Sequence, residues 1–232
     1  LNVRDFPEVN SKVNVYGQLK KGDTVTVLGT ATDNSYWYRI SNPFNKAPKQ
    51  FMNAGSELTS YYLNPNNFIK SESQKFQFLR LDTPSHVNSS ELNRILKGKG
   101  ILDGKASSFI EAGKKHNINE IYLVSHAILE TGHGTSPLAN GISRWTERDS
   151  RGNVVYRGGK PSIIDISPRK VYNMYGYGAF DNCPRDCGAQ YAYNNGWFSP
   201  EKAIVEGASD IGKNFINHKD YQQNTLYKMK WN

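Results

Sequence analysis

The pattern of apolar and polar positions changes once along the chain. Up to about residue 65 it predicts short strands, because residues 25–28 and 36–40 are rich in β-branched and aromatic side chains. Polar stretches at residues 21–23 and 33–35 supply the turns next to them. Several short strands at this spacing are typical of a small all-β barrel.

Helical periodicity begins at about residue 89. The stretches that show it, with apolar residues three or four positions apart, are residues 90–97, 105–116, 119–131 and 199–217. In the first stretch, Leu92, Ile95 and Leu96 share one face behind a serine cap, so we expect all three in the core. The last begins with Ser199 as the N-cap and Pro200 in the first helical position.

A different element separates these helices. Residues 153–165 have two β-favouring triplets around a Gly-Gly pair, which predicts a β-hairpin on one wall of a cleft. A stretch rich in Asn, Pro and Ser lies between the strands and the helices. We therefore predict a β module over residues 1–65, a linker over 66–88 and a mainly α (α+β) domain with a β-hairpin lobe over 89–232.

Composition narrows the choice of partners. The 232 residues are 37% hydrophobic and carry a net charge of +8, so a buried core and an anionic partner are both expected. The 14 Tyr and 4 Trp favour a ligand on which aromatic rings stack, such as a sugar or a base. Scattered lysines without a recognition helix argue against nucleic acid. No apolar run reaches about 18 residues, so we expect no membrane span.

Cys183 and Cys187 form the only cysteine pair. A three-residue spacer allows a local disulfide, and two free thiols are equally compatible with it. A zinc site needs two further ligands, and no Cys or His follows within thirty residues.

The sharpest local feature is the decapeptide HAILETGHGT, residues 126–135. Gly132 and Gly134 are helix-stop residues, so we expect Glu130 in the final turn of a helix. The negative end of the helix dipole and partial burial would both disfavour its charged form. Glycoside cleavage needs a protonated carboxylic acid, because the leaving oxygen must receive a proton.

Helical spacing divides this helix into two faces. The core face is predicted to hold Ile121, Val124 and Ile128. The opposite face is predicted to hold Leu123, His126, Glu130 and His133. Because His126, Glu130 and His133 recur at i, i+4 and i+7, a zinc site is an alternative, although the His-Glu-x-x-His motif of zinc peptidases is absent. A solvated Glu near a helix end is a further alternative.

Residues 125–141 (SHAILETGHGTSPLANG) resemble the catalytic signature of glycoside hydrolase family 73, the glucosaminidases of bacterial autolysins. Three further segments agree with this family in order and spacing: residues 170–181, 191–197 and 223–231. Together they cover most of residues 90–232, and the clostridial autolysin type is the most similar. The resemblance implies a lysozyme-like fold whose general acid lies at the end of a helix below a groove, which places that role on Glu130.

The resemblance also implies other site residues. Tyr193 lies in a segment similar to the Ala-Tyr-Asn-Ala-Gly motif of lytic transglycosylases, so we expect it at the cleaved bond. Asn173 and Tyr175 are expected on the groove wall facing Glu130. Trp197 either stacks on a sugar or anchors the next helix.

A second catalytic group is less clearly marked. The candidate carboxylates are Glu147, Asp165 and Asp181, of which we prefer Asp165 because related glucosaminidases carry a second acid on the hairpin lobe. Glu147 is equally explained by a surface salt bridge with Arg148 or Arg151, and otherwise is expected to bind substrate. The 2-acetamido group of the substrate is an alternative nucleophile that needs no second carboxylate.

Residues 1–4, 19–28 and 36–40 resemble a bacterial SH3 module, although residues 50–55 lack the Gly-Trp-Val that normally follows. Such a module implies wall binding or a structural spacer. The resemblance implies a secreted, wall-associated monomer that acts on peptidoglycan glycan strands, is attracted to anionic wall polymers, and needs no cofactor or metal. The alternatives are a muramidase or lytic transglycosylase, a zinc-dependent peptidase or amidase, and a non-catalytic wall-binding protein.

Overall fold

The computed structural model describes residues 1–4, 9, 15–30, 36–41 and 55–231. The chain divides into two compact units, Leu1–Lys75 and Phe76–Asn232. Helices and small antiparallel sheets are both present, which agrees with the predicted mixture of β and mainly α structure. No helix in the described ranges is long and apolar enough to cross a membrane.

The first unit contains two short antiparallel strand pairs. Strand β1 (Asn2–Arg4) pairs with β2 (Val15–Gln18), and β3 (Val27–Thr30) pairs with β4 (Tyr38–Ile40). The strands predicted at residues 25–28 and 36–40 are therefore confirmed to within about two residues. Much of the predicted SH3-like barrel, including most of residues 50–55, lies outside the described residues, so the barrel stays a prediction.

The prediction of strands as far as residue 65 is wrong for its last part. Residues Ser56–Leu63 form helix α1, which is followed by a short 3-10 turn at Pro65–Asn67. The segment contains no Gly, Pro, Asn or Asp, and Glu57 lies in the first turn, where the helix dipole favours an acidic side chain. Phe68 is buried against the rings of Tyr61 and Tyr62. The domain boundaries predicted from the sequence stay a prediction.

The second unit is mainly helical. Its described α-helices are α2 (Ser89–Leu96), α3 (Ala106–His116), α4 (Glu120–Glu130), α5 (Pro137–Asn140), α6 (Pro184–Asn194), α7 (Pro200–Ile211) and α8 (Leu226–Lys230). The four predicted helices are confirmed, and a π-helical turn, Gly212–Ile216, continues α7. The predicted serine cap of α2 is wrong, because Asn88 has an extended backbone and its Oδ1 accepts a hydrogen bond from the backbone N–H of Glu91, 2.9 Å.

The predicted hairpin is also present. Strands β6 (Tyr156–Arg157) and β7 (Lys160–Pro161) pair around the Gly-Gly turn, while β5 (Arg144–Thr146) pairs with β8 (Ile163–Asp165). Trp145 and Ile164 are directly opposite each other in the β5–β8 pair. These strands determine where Glu147 and Asp165 lie, because the first follows β5 and the second ends β8.

The core of this unit corrects two predicted helix faces. On α2, Leu92 and Leu96 are buried but Ile95 is 47% exposed. On α4, the buried residues include Leu123, Val124 and Ala127, while Ile121 is 37% exposed. The prediction that Ile121 points into the core and Leu123 away from it is therefore wrong. The buried stripe of α4 includes the small Ala127 and the charged Glu120, which an apolar pattern does not mark as core positions.

Glu120, the first residue of α4, is a buried carboxylate that holds a neighbouring loop. It accepts hydrogen bonds from the backbone N–H groups of Ser85 (2.9 Å) and Val87 (3.0 Å). Burial by itself raises the pKa of the Glu120 carboxyl, but backbone N–H donors, including those of Ser85 and Val87, outweigh burial and hold it below its usual value.

We expect Glu120→Ala to lower the free energy of unfolding near pH 7 by about 3 kcal/mol, because two hydrogen bonds to a charged group are lost. Since the folded-state pKa is lowered, this stabilisation is present above the pKa of the unfolded chain and is lost as the pH falls through the folded-state value. Urea unfolding near pH 7 and near pH 3 measures the difference, with the exposed Glu111→Ala as control. An equal loss at both pH values would contradict the electrostatic explanation.

Candidate active site

Glu130 is the last residue of α4, as the sequence predicted. Thr131 caps the helix, and Gly132, His133 and Gly134 all have positive φ angles of 54°, 60° and 78°. The Thr131 hydroxyl accepts a hydrogen bond from the backbone N–H of Gly134, 2.8 Å. This run of residues with left-handed backbone ends the helix sharply and leaves Glu130 in its last turn.

The Glu130 side chain is accessible and uncommitted. It is exposed, so the predicted partial burial is wrong; Glu130 is the last residue of α4 and lies beyond the buried residues of that helix, the last of which is Ala127. Within the described part of the chain its carboxylate has no hydrogen-bond or ion-pair partner. A carboxyl group that makes no bond inside the protein remains available to a bound molecule.

The groups around Glu130 are neutral or small. Burial, together with the charge of Glu130, raises the pKa of Tyr122 to about 12. Burial lowers the pKa of His126, although the charge of Glu130 opposes this change. Burial and nearby acids, Glu130 among them, also raise the pKa of Tyr177. A Cβ atom placed on Gly176 would lie only 3.1 Å from Oε2 of Glu130.

Sequence reasoning missed three of these neighbours: Tyr122, Gly176 and Tyr177. Tyr122 is detectable in principle, because it lies eight residues before Glu130 and so shares its helix face. Its hydroxyl lies 3.4 Å from Nδ1 of His126. Gly176 and Tyr177 lie in no helix or strand, so no periodic pattern in the sequence could predict that they lie near the end of α4.

Asp165, the preferred second carboxylate, lies exposed at the end of β8. It accepts a hydrogen bond from the backbone N–H of Ser167 (3.0 Å) and lies 3.7 Å from the Arg144 guanidinium. The Ser167 backbone N–H, its hydroxyl and then Arg144 hold the pKa of the Asp165 carboxyl below its usual value. Asp165 is thus kept ionised, and its catalytic role stays a prediction.

Glu147 is bound more tightly. It accepts hydrogen bonds from Ser162 Oγ (2.5 Å) and from the Arg157 guanidinium (2.9 Å), and these two partners lower the pKa of its carboxyl. The expected ion pair with Arg148 or Arg151 is wrong, because the hairpin brings Arg157 across from Glu147. Arg148 instead pairs with Asp186 at 3.3 Å.

Asn173 and Tyr175, which were predicted on the groove wall, are buried, and so is Trp197. Asn173, Tyr175 and Trp197 are 2%, 4% and 1% exposed. The Asn173 amide donates to the carbonyl oxygen of Tyr177 (2.7 Å), and the Tyr175 hydroxyl donates to that of Ile204 (3.2 Å). Asn173 and Tyr175 are therefore not accessible as the sequence predicted, and the burial of Trp197 matches the anchoring alternative.

Tyr193, the second predicted catalytic residue, lies near the end of α6. Its ring is 37% exposed and makes edge-to-face contacts with Trp145 and Phe198. The ring is therefore held in place while part of it remains accessible. Its role at the cleaved bond stays a prediction.

The alternative zinc site at His126, Glu130 and His133 is not formed. Among the described residues, no three His, Cys, Asp or Glu side chains lie close enough to hold a metal ion. Nδ1 of His133, one of the three proposed zinc ligands, instead lies 3.0 Å from the ammonium group of Lys99. Cys183 and Cys187 form a disulfide, which decides between the two alternatives left open for them.

Known proteins resemble this chain along its whole length. It is 44% identical over all 232 residues to a β-N-acetylglucosaminidase of Bacillus subtilis, and 40% identical over 215 residues to a bifunctional autolysin of Staphylococcus epidermidis. The chain spans 23% and 15% of the lengths of these two relatives. No family model matches it.

Solved structures agree. The crystal structure of a major bifunctional autolysin is 34% identical, with a TM-score of 0.62 over 81% of this chain and 68% of that one. Structures of S. aureus autolysin E with the disaccharide NAG-NAM and with the muropeptide NAM-L-Ala-D-iGlu are each 29% identical, with TM-scores of 0.51 over 91% of this chain. The two matches cover 73% and 72% of the autolysin E chains. The chain therefore belongs to the family of bacterial autolysin glucosaminidases.

Proposed function

We propose that this chain is a peptidoglycan hydrolase that cleaves the glycan strand after N-acetylglucosamine, with Glu130 as the general acid. The observation that carries the proposal is the accessible Glu130 carboxylate at the end of α4, without a partner in the described part of the chain. The solved relatives bound to NAG-NAM and to a muropeptide support this class of substrate. We assign the catalytic domain to glycoside hydrolase family 73 with a lysozyme-like fold.

The proposed first step is proton donation. Glu130 in its acid form protonates the oxygen of the bond that breaks, so that the leaving sugar departs as a neutral alcohol. The Tyr122 hydroxyl and the His126 imidazole, which stay uncharged near neutral pH, do not form an ion pair with the acid. Neither of these two neighbours therefore stabilises the charged form of Glu130, which could not donate a proton.

The second group is either Asp165 or the 2-acetamido group of the substrate. Asp165 supports the first option, because the hydrogen bonds from Ser167 keep it ionised, and a base or nucleophile must be ionised to act. Glu147 is less suited, since Ser162 and Arg157 already occupy its oxygen atoms. We propose that Glu147 holds the hairpin in shape and that the partly exposed Tyr193 contacts the sugar at the cleaved bond.

We further propose that the protein acts as a secreted, wall-associated monomer. Its net charge of +8 would hold it near anionic wall polymers, and more weakly at high salt. The N-terminal unit, with its two strand pairs, is proposed to be an SH3-like module that binds the wall or acts as a spacer.

Mass spectrometry of the fragments released from purified peptidoglycan tests the proposed function. We expect new reducing ends at N-acetylglucosamine, absent with Glu130→Gln and unaffected by a metal chelator. Reducing or anhydro ends at N-acetylmuramic acid would make the protein a muramidase or lytic transglycosylase. Released peptides that vanish with the chelator would point to a metal-dependent peptidase or amidase.

A further inference from the structure

Gly176 lies beside the Glu130 carboxylate. It has a φ angle of +70°, and a Cβ built on it would meet Oε2 of Glu130 at 3.1 Å. That distance is shorter than an ordinary van der Waals contact between carbon and oxygen. A side chain at residue 176 would therefore require the Oε2 oxygen to shift by a few tenths of an ångström.

The loop that carries Gly176 is held by a hydrogen bond and by ring packing. The Asn173 amide donates to the carbonyl oxygen of Tyr177 (2.7 Å), and the Tyr177 ring stacks on the ring of Tyr191. The Tyr191 hydroxyl donates in turn to Asp210 on α7, 2.7 Å. At Gly178, a Cβ would meet Cβ of Tyr191 at 2.7 Å, so the loop backbone is packed closely against Tyr191.

Of the two groups in contact, the acid is the one able to move. The loop is held by Asn173 and Tyr191, whereas the Glu130 carboxylate has no bond to hold it within the described residues. A methyl group at residue 176 would therefore displace the carboxylate and leave the backbone in place. The chain would still fold, but its proton donor would be out of position.

We propose that Gly176 is a positioning residue for the general acid: its missing side chain leaves the space that Oε2 of Glu130 occupies in the orientation for proton transfer. This inference rests on the proposed function of Glu130. Gly176 itself takes no part in the chemistry. Its role is to leave room for the carboxylate in that orientation.

Gly176→Ala tests the proposal, with Gly104→Ala as the matched control. Gly104 has nearly the same φ angle, +75°, but a Cβ there meets no described atom within 4 Å, so it isolates the cost of backbone strain. On soluble, uncross-linked glycan strands we expect Gly176→Ala to lower kcat about tenfold with KM changed less than about threefold, because the carboxylate must shift by a few tenths of an ångström and a misplacement of about 1 Å costs about a hundredfold. Gly104→Ala should leave both constants within about twofold of the wild type. The two variants should have similar unfolding temperatures.

A second pair of variants separates contact with the acid from damage to the loop. Glu130→Asp shortens the side chain by one methylene and withdraws the carboxylate from residue 176. If the contact is direct, adding Gly176→Ala to Glu130→Asp should lower kcat less than about threefold further. Gly104→Ala should have the same small effect in both backgrounds.

The proposal is overturned if Gly176→Ala loses no more kcat than Gly104→Ala, or if it causes the same tenfold loss in the Glu130→Asp background. If Gly176→Ala does not fold, recovery of folding in the double variant supports the contact. Failure of both to fold, while Gly104→Ala folds, overturns it. The proposed function fails separately: wild-type protein then releases no N-acetylglucosamine ends, or Glu130→Gln remains active.

Discussion

Replacing Glu130 by Gln is expected to slow glycan cleavage by about a thousandfold, the size of a general-acid contribution. Gln has nearly the same shape as Glu but no proton of suitable acidity to donate. Because the Glu130 carboxylate has no partner within the described residues, the substitution removes no internal bond, and the unfolding temperature should stay within about 1 °C of the wild type. The rate of reducing-end release, measured beside thermal unfolding, checks both expectations.

The exposed Glu111→Gln on α3 is the matched control, and it should be fully active and equally stable. Tyr193→Phe is a useful comparison, because it removes one hydroxyl group from the proposed cleavage point. A loss smaller than that of Glu130→Gln fits a residue that contacts the sugar, whereas an equal loss would mean that Tyr193 takes a direct part in the chemistry. Wild-type rates with Glu130→Gln would contradict the mechanism and turn attention to Asp165.

The position of Glu130 at the end of α4 could be predicted because local chemistry determines it. Asn119 caps the start of the helix through its side-chain oxygen, and Gly132 and Gly134 end it with positive φ angles. Such signals act within a few residues and do not depend on the rest of the fold. The Gly-Gly hairpin and the N-cap of α7 at Ser199 were predictable for the same reason.

The surroundings of Glu130 could not be predicted, because they come from segments far apart along the chain. Gly176 reaches the end of α4 through an irregular loop, and Arg157 reaches Glu147 through the pairing of the hairpin. Neither contact leaves a periodic signal in the sequence. The same limit applies to burial, since Asn173 has a polar side chain yet lies in the interior as a bridge between backbone carbonyl groups.

Replacing Trp197 by Ala is expected to lower the free energy of unfolding by about 3–5 kcal/mol, the range for removal of a large aromatic side chain from a core. Trp197 is 1% exposed, and its ring packs edge-to-face on Tyr191 and against Gly207 of α7. Its backbone N–H donates to the carbonyl oxygen of Ala192 (2.9 Å), joining α6 to the segment before α7. Loss of the ring would leave a cavity between these two helices.

Urea unfolding near pH 7 measures the loss, with the 63% exposed Tyr156→Ala as the control for removal of an aromatic ring from the surface. We expect Tyr156→Ala to change the free energy of unfolding by less than about 0.5 kcal/mol, as surface substitutions do. Under conditions where Trp197→Ala is still folded, its KM for glycan strands should stay within about threefold of the wild-type value. Unchanged stability together with a large rise in KM would instead mean that Trp197 stacks on the sugar. Because Tyr191 also supports the loop that carries Gly176, a folded Trp197→Ala variant that loses kcat alone would show that this packing positions the acid.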